Sequence, residues 1–155
     1  QEERSHSSAR QETWEFSNFP PPVVEKAWRV TRISKTFWAR LPSLLTPDEV
    51  SSLYRLQKHR VVFLTARRGV HVQDQSEEWL RSNGLFSLGD VQVVRDKVAM
   101  CEVVPPLAII DDKPSILEAL RDAGFRVYAR DWPYNRHVDV PRVNNMTEFV
   151  AAALG

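Results

Sequence analysis

The sequence has few of the features that define several common protein classes. It contains one cysteine, Cys101, so no disulfide can form within the chain, which fits a reducing, cytoplasmic setting. Its neighbours are apolar and follow a helical pattern, which predicts a buried packing role for the thiol. No apolar run approaches the ~20 residues that a membrane-spanning helix needs, so no membrane association is expected.

Charge and glycine content exclude further classes. The 21 Lys and Arg residues against 20 Asp and Glu residues give a formal net charge of +1. No strong field therefore favours nucleic acid, and a nucleic-acid partner is not expected. The five glycines form neither GxGxxG nor GxxxxGK, which argues against a dinucleotide fold or a P-loop. The four histidines lack the spacing of a metal site.

The chain divides into three parts by composition. Residues 1–12 are polar and show no apolar periodicity, which predicts a flexible tail. Residues 13–45 are rich in aromatic side chains, with three prolines at 20–22 that should interrupt a helix and a helix expected over about 22–34. This part is predicted to be a small helical, cap-like segment. Residues 46–155 carry a more regular pattern and are predicted to form the main core.

In that core, short apolar runs alternate with amphipathic stretches. β-Branched residues dominate the runs, as in strands buried on both faces. Short connections between alternating strands and helices favour right-handed crossovers. The predicted fold class is therefore α/β, a Rossmann-like parallel sheet with helices on both faces. The predicted strands are 61–65, 91–94, 107–111 and 126–129. The predicted helices begin at Pro47, with Thr46 as the cap, and then cover 72–82, 97–103, 114–123 and 146–154.

Polar groups follow the predicted strands, at the edge where parallel sheets bind ligands. Thr65 and Ala66 follow the first strand, Lys97 follows the second, and Asp111 and Asp112 follow the third. A hydroxyl and an ammonium can bind phosphoryl oxygens. One or two carboxylates together with a phosphate oxygen suffice for Mg²⁺. The set therefore predicts a phosphate and magnesium site at this edge.

Each of these residues also has a structural interpretation. Thr65 alone is typical of a turn, Lys97 alone is typical of a solvated helix start, and Asp112 can cap the helix that follows it. Their occurrence together at successive strand ends favours the functional interpretation. A loop after the fourth strand lies near the same edge and is either part of the pocket or a packed aromatic turn. The pocket candidates are Arg67, Trp132, Tyr134, Asn135 and Arg136.

Three segments resemble motifs of the haloacid dehalogenase superfamily. VVFLTARRG, VVRDKVAMC and LAIIDDKP are similar, in order and spacing, to its second, third and fourth motifs. FWARLP, and DWPYNRHV followed by PRVNNMTEFV, resemble one branch of it, the deoxyribonucleotidase-type 5′-nucleotidases. The similarity covers about residues 46–155, and residues 13–45 suit the small helical cap of that branch.

The resemblance implies a role for each position. Thr65, with Ala66 beside it, would bind the transferred phosphoryl group, and Lys97 would neutralise charge on phosphate and nucleophile. Asp111 and Asp112 would supply or support the ligand to Mg²⁺, with the choice between them left open. The implied substrate is a small phosphorylated compound, most like a nucleoside monophosphate.

The superfamily's first motif, Asp-x-Asp after an apolar strand, is absent from the sequence. Its first Asp is the nucleophile and its second is the general acid and base. Asp48, the one aspartate before Thr65, lies at a predicted helix start. The first-motif strand would lie between the strands that end at Thr65 and Asp111, so its loss predicts a gap in the sheet. The chain is expected to be a fragment whose first motif lies upstream. The alternatives are a strand supplied in trans and a divergent relative that has closed the gap.

Three functions are consistent with these features. A parent protein that carries the first motif would be a magnesium-dependent phosphomonoester hydrolase, most like a 5′-nucleotidase, and the chain alone would be inactive. A polynucleotide 3′-phosphatase module is an alternative, against which the near-neutral charge argues. The third is a non-catalytic protein that binds a phosphate ligand or a protein partner.

Overall fold

The computed structural model describes residue 16 and residues 18–155, so the expected tail over residues 1–12 lies outside the described residues. The fold is α/β, as predicted, and every strand pair is parallel. None of the helices in the described ranges has the length and apolar character that a membrane span needs.

The helices are α1 Pro21–Ile33, α2 Pro47–Leu53, α3 Val72–Ser82, α4 Lys97–Val103, α5 Pro114–Asp122 and α6 Met146–Leu154. The strands are β1 Val61–Thr65, β2 Gly89–Val93, β3 Ile109–Asp111, β4 Val127–Arg130 and β5 Arg142–Val143. Short 3₁₀ turns cover Trp38–Arg40, Tyr54–Lys58 and Pro133–Asn135.

Local chemistry explains where the helices begin. Pro21 and Pro22 lie in the first turn of α1, so the expectation that they interrupt a helix is wrong. Proline fits there because the first amides of a helix have no intrahelical acceptor. Thr46 caps α2 as predicted, and its Oγ1 accepts a hydrogen bond from the Glu49 amide at 3.3 Å while the Glu49 carboxylate accepts one from the Thr46 amide at 2.9 Å. Asn145 caps α6, and its Oδ1 accepts a hydrogen bond from the Glu148 amide at 2.8 Å.

Strand β1 has the predicted boundaries, and those of β2, β3 and β4 differ from the predicted ones by one or two residues. β2 starts at Gly89 rather than at residue 91 because Gly89 pairs with Val61 at very short range. A Cβ atom at position 89 would lie 2.2 Å from the Val61 carbonyl oxygen, so only glycine allows this approach. β3 is shorter than predicted, β4 begins one residue later, and the two-residue strand β5 was not predicted.

The five strands form two sheets rather than one. β1 pairs with β2 in the first sheet, and the second sheet has the order β3–β4–β5. Within the described part of the chain, no strand joins β1 to β3. The break therefore lies at the position where the sequence predicts a gap.

Burial along the strands reflects this break. β4 has a neighbour on each side, and its Val127 and Ala129 are 4% and 0% exposed. β1 has a described neighbour on one side, and none of its five residues is buried. The expectation that Val61–Thr65 is buried on both faces is therefore wrong for the chain as described. Strand β1 has the apolar composition of a central strand in the position of an edge strand.

Helices cover both faces of the sheets, as predicted. Leu64 of β1 and Ile109 of β3 pack against a core that includes Cys101 of α4 and Leu117 of α5. Phe63, the neighbour of Leu64, packs on a second core formed by α2, α3 and α6. Because neighbouring strand residues point to opposite faces, the two cores lie on opposite sides. Cys101 is 3% exposed, which confirms its predicted packing role.

Glu49 of α2 links that helix to α6 on one face of the sheets. Its carboxylate accepts a hydrogen bond from the Met146 amide of α6 at 2.9 Å, in addition to the bond from Thr46. Nearby, the hydroxyl oxygens of Ser52 in α2 and Thr147 in α6 are 2.9 Å apart. Since α2 leads into β1 and α6 follows β5, these contacts tie the first sheet to the second.

Residues 34–41 attach the N-terminal helical segment to α3. The Trp38 amide donates to Oε1 of Gln75 at 2.9 Å, and Nε2 of Gln75 donates to the Ser34 carbonyl at 3.0 Å. Trp38 stacks on Trp28 of α1, with ring centroids 6.4 Å apart. No residue of α1 itself is buried. The segment's role as a cap stays a prediction.

We expect Glu49→Gln to lower the free energy of unfolding by about 1–3 kcal/mol, because the Thr46 and Met146 amides at the starts of two helices lose a charged acceptor. Glu148→Gln is the matched control, since Glu148 bonds only near its own helix start, and it should cost about 0.5 kcal/mol. Urea denaturation of both variants at pH 7 measures the difference.

The effect of Glu49→Gln should also depend on pH. Burial by itself would raise the pKa of Glu49, but hydrogen bonds from the Thr46 and Met146 amides outweigh it and hold the pKa below its usual value. A lowered pKa stabilises the fold above the unfolded-state pKa, and this contribution is lost as the pH falls through the folded-state value. The stability difference between wild type and Glu49→Gln should therefore shrink on acidification. A constant difference between pH 7 and acid would contradict this account.

Candidate active site

An ion pair joins the carboxyl ends of the two sheets. Lys97, the first residue of α4, follows β2, and Asp111 ends β3. The Nζ atom of Lys97 lies 2.6 Å from Oδ2 of Asp111, and their side chains are 18% and 5% exposed. The interpretation of Lys97 as a solvated helix-start lysine is therefore wrong. The fold brings these two predicted site residues into direct contact.

The two adjacent aspartates have different surroundings. Oδ1 of Asp111 accepts hydrogen bonds from the amides of Asp112 and Lys113, both at 2.9 Å, so both of its oxygens are engaged. Asp112 is half-buried, and its Oδ2 accepts a hydrogen bond from the Tyr134 hydroxyl at 2.6 Å. Asp112 does not cap α5, because the N-cap residue is Lys113, which makes no side-chain capping hydrogen bond. The capping interpretation of Asp112 is therefore wrong.

Burial and hydrogen bonding also shift the pKa values of Asp112 and Tyr134. Burial raises the pKa of Asp112, the hydrogen bond from Tyr134 opposes that rise, and the charge of Asp111 adds to it. Burial likewise raises the pKa of the Tyr134 phenol, and the bond to the Asp112 carboxylate raises it further. The phenol is thus a hydrogen-bond donor at neutral pH.

Thr65 lies at the end of β1, within a small polar cluster. Its Oγ1 accepts hydrogen bonds from the backbone amide and from Nε of Arg67, at 3.4 and 3.1 Å. The Arg67 guanidinium also binds the Ser76 hydroxyl and stacks over the Trp38 ring, 4.7 Å from its centroid. Ala66 is exposed between Thr65 and Arg67. The hydrogen bond that Oγ1 of Thr65 accepts from the Arg67 backbone amide agrees with the interpretation of Thr65 as a turn residue. A residue with this bond can still bind a ligand.

A cavity of about 220 Å³ opens beside Thr65, between the N-terminal segment and the first sheet. Thr65, Arg67 and Ser76 provide its polar groups, and the remaining lining is apolar or aromatic. The apolar lining residues are Trp38, Leu41, Phe63, Leu64, Trp79, Leu80 and Val91. The candidate site thus continues from the sheet edge into an open cavity with mainly apolar walls.

The loop after β4 contributes only some of its predicted pocket residues. Trp132 and Tyr134 are stacked with their rings 6.3 Å apart, and Asn135 is fully buried beneath them. Tyr134 and Asn135 both contact Asp112. Arg136 instead forms an exposed ion pair with Asp131 at 2.8 Å, so its predicted place in the pocket is not supported by a contact.

Sequence reasoning missed the residues that support the site. Ser76 and Gln75 lie on one turn of α3 and hold Arg67 and Trp38 respectively. The available signal was that these two polar side chains lie on the same buried face of α3 as Val72 and Leu80, where apolar residues are expected. The contact between Tyr134 and Asp112 joins residues 22 positions apart and had no sequence signal.

The carboxylates fit a magnesium ion only in part. No group of three or more His, Cys, Asp and Glu side chains in the described ranges is placed to hold a metal ion. Asp111 is fully engaged, whereas Asp112 keeps Oδ1 for a further partner. Mg²⁺ usually retains water and needs one or two carboxylates with substrate phosphate. Asp112 can therefore supply one oxygen ligand, and the rest must come from other groups.

Two curated proteins are similar to this chain, and both are named putative nucleotidases. The one from Bacillus cereus is 30% identical over 112 residues, which cover 66% of this chain and 57% of that protein. The one from Oceanobacillus iheyensis is 24% identical over 143 residues, which cover 87% of this chain and 73% of that protein. The chain thus spans less than two thirds of the length of the Bacillus cereus protein. No protein-family profile matches the chain, and no solved structure does either.

We expect Lys97→Met to lower the free energy of unfolding by about 3 kcal/mol, because it leaves the buried Asp111 carboxylate without its counter-charge. Arg121→Met is the matched control, since Arg121 and Asp122 form an exposed pair, and it should cost less than about 1 kcal/mol. Urea denaturation provides both values.

The double variant Lys97→Met with Asp111→Asn tests the reason for that loss. Removing the charge of Asp111 should restore part of the stability, since no buried carboxylate then lacks a partner. Equal losses in Lys97→Met and Arg121→Met would show that the ion pair does not hold the two sheets together.

Proposed function

We propose that this chain forms most of the core of a magnesium-dependent phosphomonoester hydrolase that acts on nucleoside monophosphates. The observation that carries the proposal is the placement of Thr65, Lys97 and Asp112 at the carboxyl ends of successive parallel strands. The similarity to two proteins named as nucleotidases supports the nucleotide as substrate.

The phosphoryl group would bind between the ends of β1 and β3. The Thr65 hydroxyl and the Lys97 ammonium are donors suited to its oxygens. Arg67 already donates to Thr65 at 3.1 Å, so its guanidinium is within reach of a ligand there and adds a positive charge. Arg67 would thus offset part of the charge of a phosphomonoester, because the charge of Lys97 is already balanced by Asp111.

Asp112 is the proposed ligand to Mg²⁺, and Asp111 is the proposed counter-ion of Lys97. The assignment follows from their hydrogen bonds, because both oxygens of Asp111 accept hydrogen bonds within the fold, whereas the hydrogen bond to the Asp112 carboxylate goes to Oδ2. When bound, Mg²⁺ would neutralise phosphate charge that Lys97 and Arg67 do not reach.

The cavity beside Thr65 suits the uncharged part of the substrate. A space of about 220 Å³ bordered by Trp38 and Phe63 offers apolar contact next to the polar sheet edge. Ligand sites commonly combine such apolar walls with a few polar groups at one end. A nucleoside monophosphate has this same division between an aromatic base and a charged phosphate.

The nucleophile would enter on a strand that is not part of the described chain. We propose that a strand ending in Asp-x-Asp pairs with β1 on one side and β3 on the other. The support is the break between the two sheets and the incomplete burial of β1. Such a strand would end beside Lys97, whose ammonium would offset the charge of the incoming carboxylates.

Phosphate release from a panel of nucleoside monophosphates, with a 3′-phosphorylated oligonucleotide included, tests the activity. The 155-residue chain is compared with the protein expressed from its natural start codon, each with and without Mg²⁺. We expect release only from the latter protein and only with Mg²⁺. Asp112→Asn should reduce it by about 100-fold, since loss of a group that merely supports a metal ligand already costs about 10–100-fold.

Asp122→Asn is the matched control for Asp112→Asn. Asp122 is an exposed carboxylate at the end of α5, paired with Arg121, and its loss should leave the activity unchanged. Release that persists in Asp112→Asn would rule out the assigned role of that residue. Absence of release from both forms, for every compound in the panel, would end the hydrolase proposal.

Amide hydrogen exchange tests the proposed strand. In the 155-residue chain, the amides of Val61–Thr65 that do not bond to β2 should exchange quickly, because they have no partner on the other side. They should gain protection of about 10-fold or more in the protein that contains the Asp-x-Asp strand, since β1 is then internal. Amides of β4, which is already flanked by β3 and β5, are the control. Unchanged exchange in β1 would mean that no strand enters the break.

A second function has one observation in its favour. The sequence contains no Asp-x-Asp at all, so a protein limited to these residues would bind phosphate ligands without hydrolysing them. Binding of a nucleoside monophosphate by the 155-residue chain, measured by calorimetry, with no turnover in either form would favour this binding protein over the enzyme.

A further inference from the structure

The 3₁₀ turn Pro133–Asn135 touches Asp112 at two points. The Tyr134 hydroxyl donates to the carboxylate oxygen Oδ2 at 2.6 Å. The side-chain amide of the next residue, Asn135, donates to the Asp112 main-chain carbonyl at 2.9 Å. Two neighbouring residues of one turn therefore fix both the side chain and the backbone of the same aspartate.

Asn135 is itself fixed by every polar atom of its side chain. Nδ2 also donates to the Arg130 carbonyl at 2.8 Å, and Oδ1 accepts from Nη1 of Arg142 at 2.9 Å and from the Trp132 amide at 3.2 Å. The residue is 0% exposed. Since Arg130 ends β4 and Arg142 begins β5, the turn is anchored to two strands of the second sheet.

We infer that Tyr134 and Asn135 are positioning residues that orient the Asp112 carboxylate toward a bound cation. This inference rests on the proposed function, because it takes Asp112 as the ligand to Mg²⁺. A carboxylate on a loop rotates about two side-chain bonds, and a metal ligand must be held within narrow limits. With Oδ2 held by Tyr134 and the carbonyl held by Asn135, Oδ1 keeps one orientation.

Asp111 does not need such a clamp. Lys97 and two backbone amides already fix its carboxylate. The hydrogen bonds of Tyr134 and Asn135 described above go to the second aspartate of the pair. These contacts therefore distinguish Asp111, which has a structural role, from Asp112, whose Oδ2 is held while Oδ1 is left to face a ligand.

A packing role alone would predict a different outcome of mutation. Tyr134 stacks on Trp132 with the rings nearly parallel, at 6°. Tyr134→Phe retains this stacking and removes only the hydroxyl. The variant therefore removes the bond to Asp112 while the packing of the turn is kept.

Tyr54→Phe is the matched control. The Tyr54 hydroxyl donates to the Gly84 carbonyl and lies 2.9 Å from Oγ of Ser87, near the end of α3. Its loss also removes one tyrosine hydroxyl, and none of its hydrogen-bond partners is a site residue. The Kd for Mg²⁺ alone is measured by calorimetry on the 155-residue chain and on both variants, and crystal structures of all three give the Asp112 side-chain conformation.

We expect Tyr134→Phe to weaken Mg²⁺ binding about 10-fold, as the loss of a group that orients a metal ligand does, and to rotate the Asp112 carboxylate. Tyr54→Phe should leave both unchanged. An Asp112 carboxylate that stays in place in Tyr134→Phe would overturn the inference, as would equal Mg²⁺ affinity in the two variants of a chain that binds the ion. If wild type binds no Mg²⁺, the metal assignment fails, and the Asp112 conformation in Tyr134→Phe still decides whether the clamp exists.

Discussion

The ion pair between Lys97 and Asp111 is the constraint on which the candidate site depends. The two residues belong to different sheets, and no strand in the described chain bridges those sheets. At the carboxyl ends of the sheets, the ion pair adds a local attraction to the shared core on which Leu64 of β1 and Ile109 of β3 pack. The Asp111 side chain is 5% exposed, so the pair lies in a region of low dielectric where breaking it is costly. Glu49 provides the corresponding tie between α2 and α6. Together these two contacts keep Thr65 and Asp112 on one edge.

The two aspartates show how one sequence repeat acquires two roles. Asp111 and Asp112 have the same side chain and adjacent positions, but strand β3 ends between them. Asp111 is the last strand residue and is buried against Lys97 and the amides of the following loop. Asp112 lies one residue further on, half-buried, and meets the turn after β4. The environment, not the residue type, therefore determines how the two carboxylates differ in burial and hydrogen bonding.

The sequence predicted what depends on neighbouring residues. Thr46 with Pro47 and Glu49 marks the start of α2 because a capping box is formed within four residues. Val61–Thr65 was predicted to its last residue because β-branched composition is a local property. The fold class followed from the alternation of such elements. The position of Thr65, Lys97 and Asp111 at one edge followed in turn from parallel pairing.

Features that depend on distant partners could not be predicted. β5 has only two residues, Arg142 and Val143, and exists because β4 pairs with it. Asn135 looks like an ordinary turn residue, and its burial results from Arg142 and from the end of β4. Gly89 extends β2 only because Val61 of another strand lies too close for any side chain. Each of these involves partners that periodicity does not reveal.

The break between β1 and β3 has an energetic consequence that bears on function. Each backbone hydrogen bond formed in water contributes about 1 kcal/mol, and each apolar side chain that becomes fully buried contributes about 1.5–3 kcal/mol. β1 carries Val61, Val62, Phe63 and Leu64, none of which is buried. A strand inserted between β1 and β3 would form backbone hydrogen bonds and bury apolar side chains along both of its edges, since β3 also lacks a second described neighbour. The polar residues at the same edge would then surround the end of that strand. The position that is most favourable for a further strand is thus also the position from which its last residues would meet Lys97, Thr65 and Asp112.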